Sequence, residues 1–535
     1  MKKFLKQNVF LLFSFVFLLG GCVSPDSKLK DNKCGSDALA TQCQTGDDFS
    51  YENLPFEMTT IEKPVFPDRK VDIRDFGAKG DGIEDDSKAI NDAIKSLGGQ
   101  GGGTVVIPRG VWLTGPIYLT DNINLHVEAN ALVIFSPDYR KYPIIETSFE
   151  GLDTRRSTSP IMAQGLTNIA ITGTGVFEGS GDAWRLVKKE KMTEKQWNAL
   201  IASGGVLNEK KNMWFPSEMS QKGSMVSDNF NNPQNLKTDK EWEDIHHWLR
   251  PVMVSISKCR NVLIEGVTFR NSPCWGIHPN MSEDIIIDNV KVFNAWYSQN
   301  GDGIDVESCN RVVVKNCIFD VGDDGICIKS GKDETGRKRG MPCQNLVIYN
   351  NMVLHGHGGF VVGSEMSGGV NNVFVKNCTF VGTDVGLRFK SNRGRGGIVE
   401  NITIEDISMA DIVTEPLLFD LFYSGISAVE ELETDKGGVV KRVISEVTEE
   451  TPSFRNISIS NIYCKGARRA MYFNGLPEMK IQNITVKNVV ITSDIGAELI
   501  NTENVKIENA RIIPKIGEAF LVSKSSGVII NGEEK

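Results

Sequence analysis

A chain of 535 residues with 59 Lys and Arg against 68 Asp and Glu carries a formal charge of −9. That balance argues against a nucleic-acid binder, which needs a basic face, but an acidic ligand needs only a local basic patch. The length suits one large domain or two or three ordinary ones.

In chain order, the N-terminus reads as an export signal. Lys2, Lys3 and Lys6 precede an apolar run, Val9 to Leu19 broken only by Ser14, that is too short to favour a spanning helix. It ends in "LLGGC", which resembles a bacterial lipoprotein box and implies cleavage before Cys22 and lipidation of its thiol. The expected location is the surface of a bacterial membrane, the outer membrane by preference, on either its periplasmic or its external face. Residues 1–21 are then a signal peptide and 22–65 a polar tether, leaving 66–530 as a single domain. Of the eleven cysteines, Cys34 and Cys43 could pair, since export permits disulfides. Cys259, Cys309, Cys317, Cys327, Cys378 and Cys464 lie in hydrophobic runs and read as small buried hydrophobes. No Cys/His spacing suggests zinc.

Ala89, Ile90, Ala93, Ile94 and Leu97 recur at helical spacing, which predicts a helix over 87–97. Asp85, Asp86 and Ser87 offer N-caps and Gly98-Gly99 a stop. Short strands are expected at 104–107 and 111–113. From there the chain repeats itself: "NVLIEGVTFRNS" at 261, "RVVVKNCIFDVG" at 311, "NVFVKNCTFVGT" at 372 and "NITVKNVVITSD" at 483 are four of ten such segments. Their starts from 261 onward are separated by 23, 27, 34, 27, 29, 55, 27 and 21 residues, a repeat with loops inserted on a fixed scaffold. Amphipathic helices are missing between the strands, so the expected fold is all-β, a parallel β-helix with the 87–97 helix capping its N-terminal end. Asn recurs at the corners, where it tolerates αL and can bond a stacked Asn. Several of these match glycosylation sequons but read as corner residues. Residues 182–250 break the pattern with a predicted helix and a polar, Trp-bearing stretch. Such an insertion on a solenoid usually sits on the binding side.

Residues at equal offsets in successive coils stack one rung, about 4.8 Å, apart. Asp323 and His357 both lie 12 residues after their strand starts. The coil before reaches the same side with Asp302, and the coil after with Arg388 and Lys390. Four coils therefore deliver a carboxylate, paired carboxylates, an imidazole and two cations to one face. Each alone has a bland reading, as a turn aspartate beside Gly or a solvated surface charge; together they do not. Close carboxylates raise one pKa, so that one donates a proton while another activates water, the logic of glycoside hydrolysis. Arg forks onto carboxylates and Lys acts as a point charge, so the substrate is expected to be a sugar acid.

These residues carry a family resemblance. "NGDGIDV", "GDDGI", "HGHGG" and "LRFK" resemble the four ordered signatures N-T-D, D-D, G-H-G and R-I-K of the polygalacturonases, glycoside hydrolase family 28, over about 70–525. "VVGSEMSGG" and the opening "DFGAKGDG" look like the bacterial members. The resemblance implies a right-handed, pectin lyase-like β-helix and inverting hydrolysis of α-1,4-galacturonosyl links in an acidic plant polysaccharide, without metal or other cofactor. By motif match Asp323 is the general acid, Asp302 and Asp324 position the water, and His357 supports the acid. Arg388 and Lys390 hold the substrate carboxylate; Asn300 and, on weaker grounds, Tyr423 contact substrate. Gly301 replaces Thr and Phe389 replaces Ile of the signatures. The 182–250 block, absent from simple fungal members, is expected to wall one end of the groove and favour release of small products from a chain end. Rhamnogalacturonan or xylogalacturonan hydrolysis, a lyase on the same fold and a non-catalytic glycan-binding β-helix stay open as alternatives.

Overall fold

A computed structural model of the protein describes residues 50–226, 231–424 and 444–535. The export signal, Cys22, Cys34, Cys43 and most of the tether lie outside the described residues.

The repeat seen in the sequence is a column of parallel strands. Ile169, Val262, Ile285, Val312, Leu346, Val373, Ile402, Ile457, Ile484 and Val505 pair rung on rung, all facing the interior. A second column follows each break, with Phe177, Phe269, Val292, Phe319, Val353 and Phe380 stacked in it. Thirty-three strands join this one sheet, and among the described residues its one antiparallel ladder is at the C-terminal end, Ile529–Ile530 with Glu533–Glu534. Neither face of a coil can be buried alone, so stacking creates the core. The Phe389 and Phe419 rings lie 4.3 Å apart within it.

The corners use Asn as its chemistry predicts. Asn316, Asn350 and Asn377 hold φ of 57°, 57° and 50°; the Asn377 amide donates to the side-chain oxygen of Asn350, that of Asn350 to Asn316, and that of Asn316 to Asp288 at the foot of the ladder. Asn310, Asn345 and Asn372 form a second such ladder; Asn456, Asn483 and Asn504 form a third. The sequon residues Asn456 and Asn483 thus have their amides in the ladder.

The capping helix runs Ser87–Gly99 with Ala89, Ile90, Ala93, Ile94 and Leu97 buried. Its N-cap position is Asp86, but that carboxylate instead accepts from the Lys79 and Gly80 N–H groups, and Asp85 accepts from the Ser87 N–H. The eight described cysteines are free and buried.

The 182–250 segment carries a helix, Glu194–Ala202, started by a Thr193–Gln196 capping box, and a small antiparallel sheet of Val187–Lys188, Val206–Leu207 and Met213–Phe215. Trp197 and Trp214 pack with Val187, and Trp242 and Trp248 with Phe215, so the block has its own small core. The sequence did not reveal a second excursion, the hairpin Ile144–Phe149 and Leu152–Ser157. Its strands carry Glu, Thr, Asp and Arg without clean alternation.

Candidate active site

A third strand in each coil carries the candidate residues. Strands Ile304–Glu307, Asp324–Lys329, Gly358–Gly363, Val385–Lys390 and Leu417–Asp420 stack in parallel register. Asp324 pairs with Gly358, Val361 with Arg388, and Gly363 with Lys390. Asp302 lies two residues before Ile304, which pairs with Ile326, so Asp302 aligns with Asp324. Asp323 aligns with His357, whose N–H donates to the Asp323 carbonyl at 2.9 Å.

Asp302, Asp323 and Asp324 each offer an oxygen within 4.8 Å of the others. Asp302 and Asp324 are buried, and one oxygen of each, Oδ1, makes no hydrogen bond among the described residues. The other Asp324 oxygen accepts from Lys390 Nζ at 2.7 Å, and Arg388 stands 3.7 Å from Oδ1. Gly358 opens this reach across rungs: a Cβ there would lie 2.3 Å from Val361 and 3.4 Å from Asp324 Oδ1. Asp323 Oδ1 accepts from the Asp324 N–H at 3.1 Å and meets His357 Nδ1 at 3.0 Å. Tyr423 lies over both cations, its ring 5.5 Å from the Arg388 guanidinium and 5.2 Å from Lys390 Nζ. Asn300 Oδ1 accepts from Arg250 at 2.9 Å and from Asn231 at 3.3 Å. These eight residues therefore line one cavity of about 430 Å³, whereas Cys22 lies outside the described residues.

The electrostatics separate the carboxylates in an unexpected way. Burial, reinforced by Asp305, Asp323 and Asp324, pushes the Asp302 carboxyl well above the ordinary range. Asp323 goes the other way. Burial raises it, but His357, through its charge when the ring is protonated and through its hydrogen bond, together with Lys390 and Lys191, outweighs that and holds it low. The raised carboxyl is thus Asp302, and Asp323 of the adjacent pair is held low. Lys390 is raised: burial opposes its charge, and Asp324 more than compensates.

Sequence reasoning missed much of the surround. Asp305 is fully buried and pushed well above the usual carboxylate range, first by burial. Lys329 bridges Asp305 at 3.7 Å and Glu365 at 2.9 Å, 4.9 Å above the Trp275 ring. Asp305 and Lys329 alternate with core residues on the third strand, and that period-2 signal could have exposed them. Lys188, Lys191, Met213 and Asn231 reach the cavity from the 182–250 segment, and Glu150 from the hairpin tip. No strand register connects those loops to the site, so the sequence carries no spacing signal for them.

The comparisons agree with this architecture. The model for "Glycosyl hydrolases family 28" matches residues 239–460, and that for "Rhamnogalacturonase A/epimerase, pectate lyase-like" matches 69–228. The solved structure of a hyperthermoactive exopolygalacturonase from Thermotoga maritima is 33% identical, with a TM-score of 0.65, covering 85% of this chain and 94% of that one. A probable polygalacturonase of Vitis vinifera is 29% identical over 63% of this chain and 60% of its own. An exo-poly-alpha-D-galacturonosidase of Dickeya chrysanthemi is 26% identical over 75% of this chain and 65% of its own. The chain thus spans less than two thirds of the length of these two curated relatives. With four ordered motifs converging on one face of a β-helix and a 33%-identical relative covered almost end to end, the chain belongs to glycosyl hydrolase family 28.

Proposed function

We propose that the chain hydrolyses α-1,4-galacturonosyl linkages of polygalacturonate or its oligomers, attacking from a chain end. The observation that carries this reading is the triad Asp302, Asp323 and Asp324 facing the cations Arg388 and Lys390 inside one cavity. Carboxylates supply the acid and the base; the cations select a sugar that is itself a carboxylate. Asp323 protonates the leaving oxygen, and water between Asp302 and Asp324 attacks. The metal-independent reading follows the family motifs and is supported by Asp324, whose charge is paired with Lys390.

Two walls support chain-end attack. The hairpin tip meets the loop after Asp324–Lys329, where the Lys332 N–H donates to the Gly151 carbonyl at 3.2 Å, and the 182–250 segment lines the same cavity. Relatives at 33% and 26% identity bear exo-acting names. Incubation of the 23–535 chain with polygalacturonate and defined oligomers, chelator present, is expected to release mono- or digalacturonate from the first minutes. Random internal cuts would remove the chain-end reading; unsaturated products would point to a lyase, and activity confined to rhamnogalacturonan or xylogalacturonan would reassign the glycan.

The carboxylate oxygens are closer than the roughly 6.5–9.5 Å usual for inverting pairs. Inversion is therefore read from the family motifs and from Asp324, whose charge is paired with Lys390 and so is a poor nucleophile. Proton NMR of the first product should show the β-anomer.

The reading extends to the termini. A signal peptide over 1–21, lipidation at Cys22, a tether over 22–65 and one catalytic β-helix over 66–530 would place the enzyme on a bacterial membrane, supported by the "LLGGC" sequence. Cys22→Ser is expected to move the protein from the membrane to the soluble fraction and abolish palmitate labelling. Protease access on intact cells tells the two membrane faces apart.

A further inference from the structure

Among the groups around the acid, one comes from outside the coils. Lys191 ends the short turn Lys189–Lys191 of the 182–250 segment, just before the capping box at Thr193. Its Nζ lies 3.2 Å from His357 Nε2. The ring's other nitrogen, Nδ1, lies 3.0 Å from Asp323 Oδ1. Asp384 also faces Nε2, at 3.9 Å. Asp302, Asp324, Arg388 and Lys390 surround Asp323 from the β-helix side.

An ammonium has three donors and no acceptor, so Nε2 beside it accepts. An imidazole that accepts at Nε2 carries its proton on Nδ1 and donates to Asp323 Oδ1. That same oxygen already accepts the Asp324 N–H. With two donors on Oδ1, a proton taken up by Asp323 must sit on Oδ2. In the opposite tautomer Nδ1 would accept, and the acid proton would turn toward the ring and away from a glycosidic oxygen.

We infer that Lys191 is a positioning residue for the general acid: by donating to His357 Nε2 it fixes the imidazole tautomer that leaves the Asp323 proton on Oδ2, free for the leaving group. The inference rests on the hydrolase reading above for its catalytic meaning, but the tautomer itself does not. The role belongs to the insertion, so the block shapes the acid as well as the cavity wall.

The test joins spectroscopy to kinetics. Full-length protein labelled with 15N-histidine, assigned with His357→Gln, should show His357 protonated at Nδ1 and bare at Nε2 near neutral pH. In Lys191→Met the Nε2 resonance should become that of a protonated nitrogen. On oligogalacturonate, Lys191→Met should lower kcat about tenfold or more, within the range of acid catalysis, with KM changed less than twofold. Lys191→Arg, which keeps the donor, should recover most of kcat. A wild-type His357 protonated at Nε2 would overturn the inference, as would a Lys191→Met whose KM rises while kcat holds, since Lys191 would then be a substrate contact. Wild-type protein inactive on every galacturonan would defeat the hydrolase reading, yet the spectrum would still decide the tautomer.

Discussion

Asp323→Asn should lose turnover of galacturonan oligomers by about 10²–10⁴-fold, the usual contribution of a positioned acid, while still binding them. Asn is isosteric. Its side-chain oxygen can take both the Asp324 N–H and the His357 donor, so the cavity keeps its shape. What it lacks is a proton to give. It also removes a negative charge facing an anionic substrate, so KM should hold or fall. Reducing-end assays give the first quantity and calorimetry with an intact oligomer the second. Retained turnover within tenfold of wild type would remove Asp323 from the acid role. A non-catalytic glycan binder would show no turnover to lose.

This prediction has an electrostatic condition. Asp323 is held below its ordinary range, against the effect of burial, by His357, Lys390 and Lys191. On the proposed reading, a substrate carboxylate beside Arg388 and Lys390 offsets part of that positive field. Asp323 then loads its proton as the sugar arrives, and the cations that select the substrate also time the acid. Without a bound carboxylate the acid stays ionised.

The β-helix was legible because its signal is periodic. Strand, Asn corner and strand recur in the same order and length, whatever loop separates them, and the corner needs a residue that tolerates αL, so composition and geometry agree. The reacting face was legible for a related reason. Asp323 and His357 share an offset, and parallel register converts equal offsets into neighbours. The third strand column was harder to read. Its segments, such as Ile304–Glu307 and Gly358–Gly363, are short and follow loops of unequal length, so no constant interval marks them. Asp305 and Lys329 were hidden inside it. Lys191, Asn231 and Glu150 were illegible for a different reason: they come from loops whose path is set by local packing around Trp197, Trp214 and Phe149 rather than by coil register. Repulsion between neighbouring carboxylates is not the whole field at the Asp323–Asp324 pair. The imidazole and the two lysines near Asp323 decide its direction, and burial decides that of Asp302.

Asp302→Asn should abolish activity and stabilise the fold. Burial, then Asp305, Asp323 and Asp324, raise the Asp302 carboxyl far above its value in an unfolded chain. Folding therefore takes up a proton once the pH exceeds about 3.9, the unfolded value. Stability from this group is intact below that pH and is lost as pH rises toward the folded value. Asn does not ionise, so the variant escapes the loss. At pH 7 it should be more stable by on the order of 1 kcal/mol or more, since each tenfold difference in proton affinity is worth about 1.4 kcal/mol. The difference should narrow as the pH falls toward about 3.9 and close below it, where Asp302 is neutral in both states. Asp323→Asn should show the opposite sign: its carboxyl is lowered in the folded state, contributes stability above the unfolded value and loses it as pH falls through the folded one. Denaturant melts of the three proteins between about pH 2.5 and 8 read both signs directly. A wild-type and Asp302→Asn gap that stays constant with pH would mean that Asp302 is not the carboxyl that holds the cluster's proton.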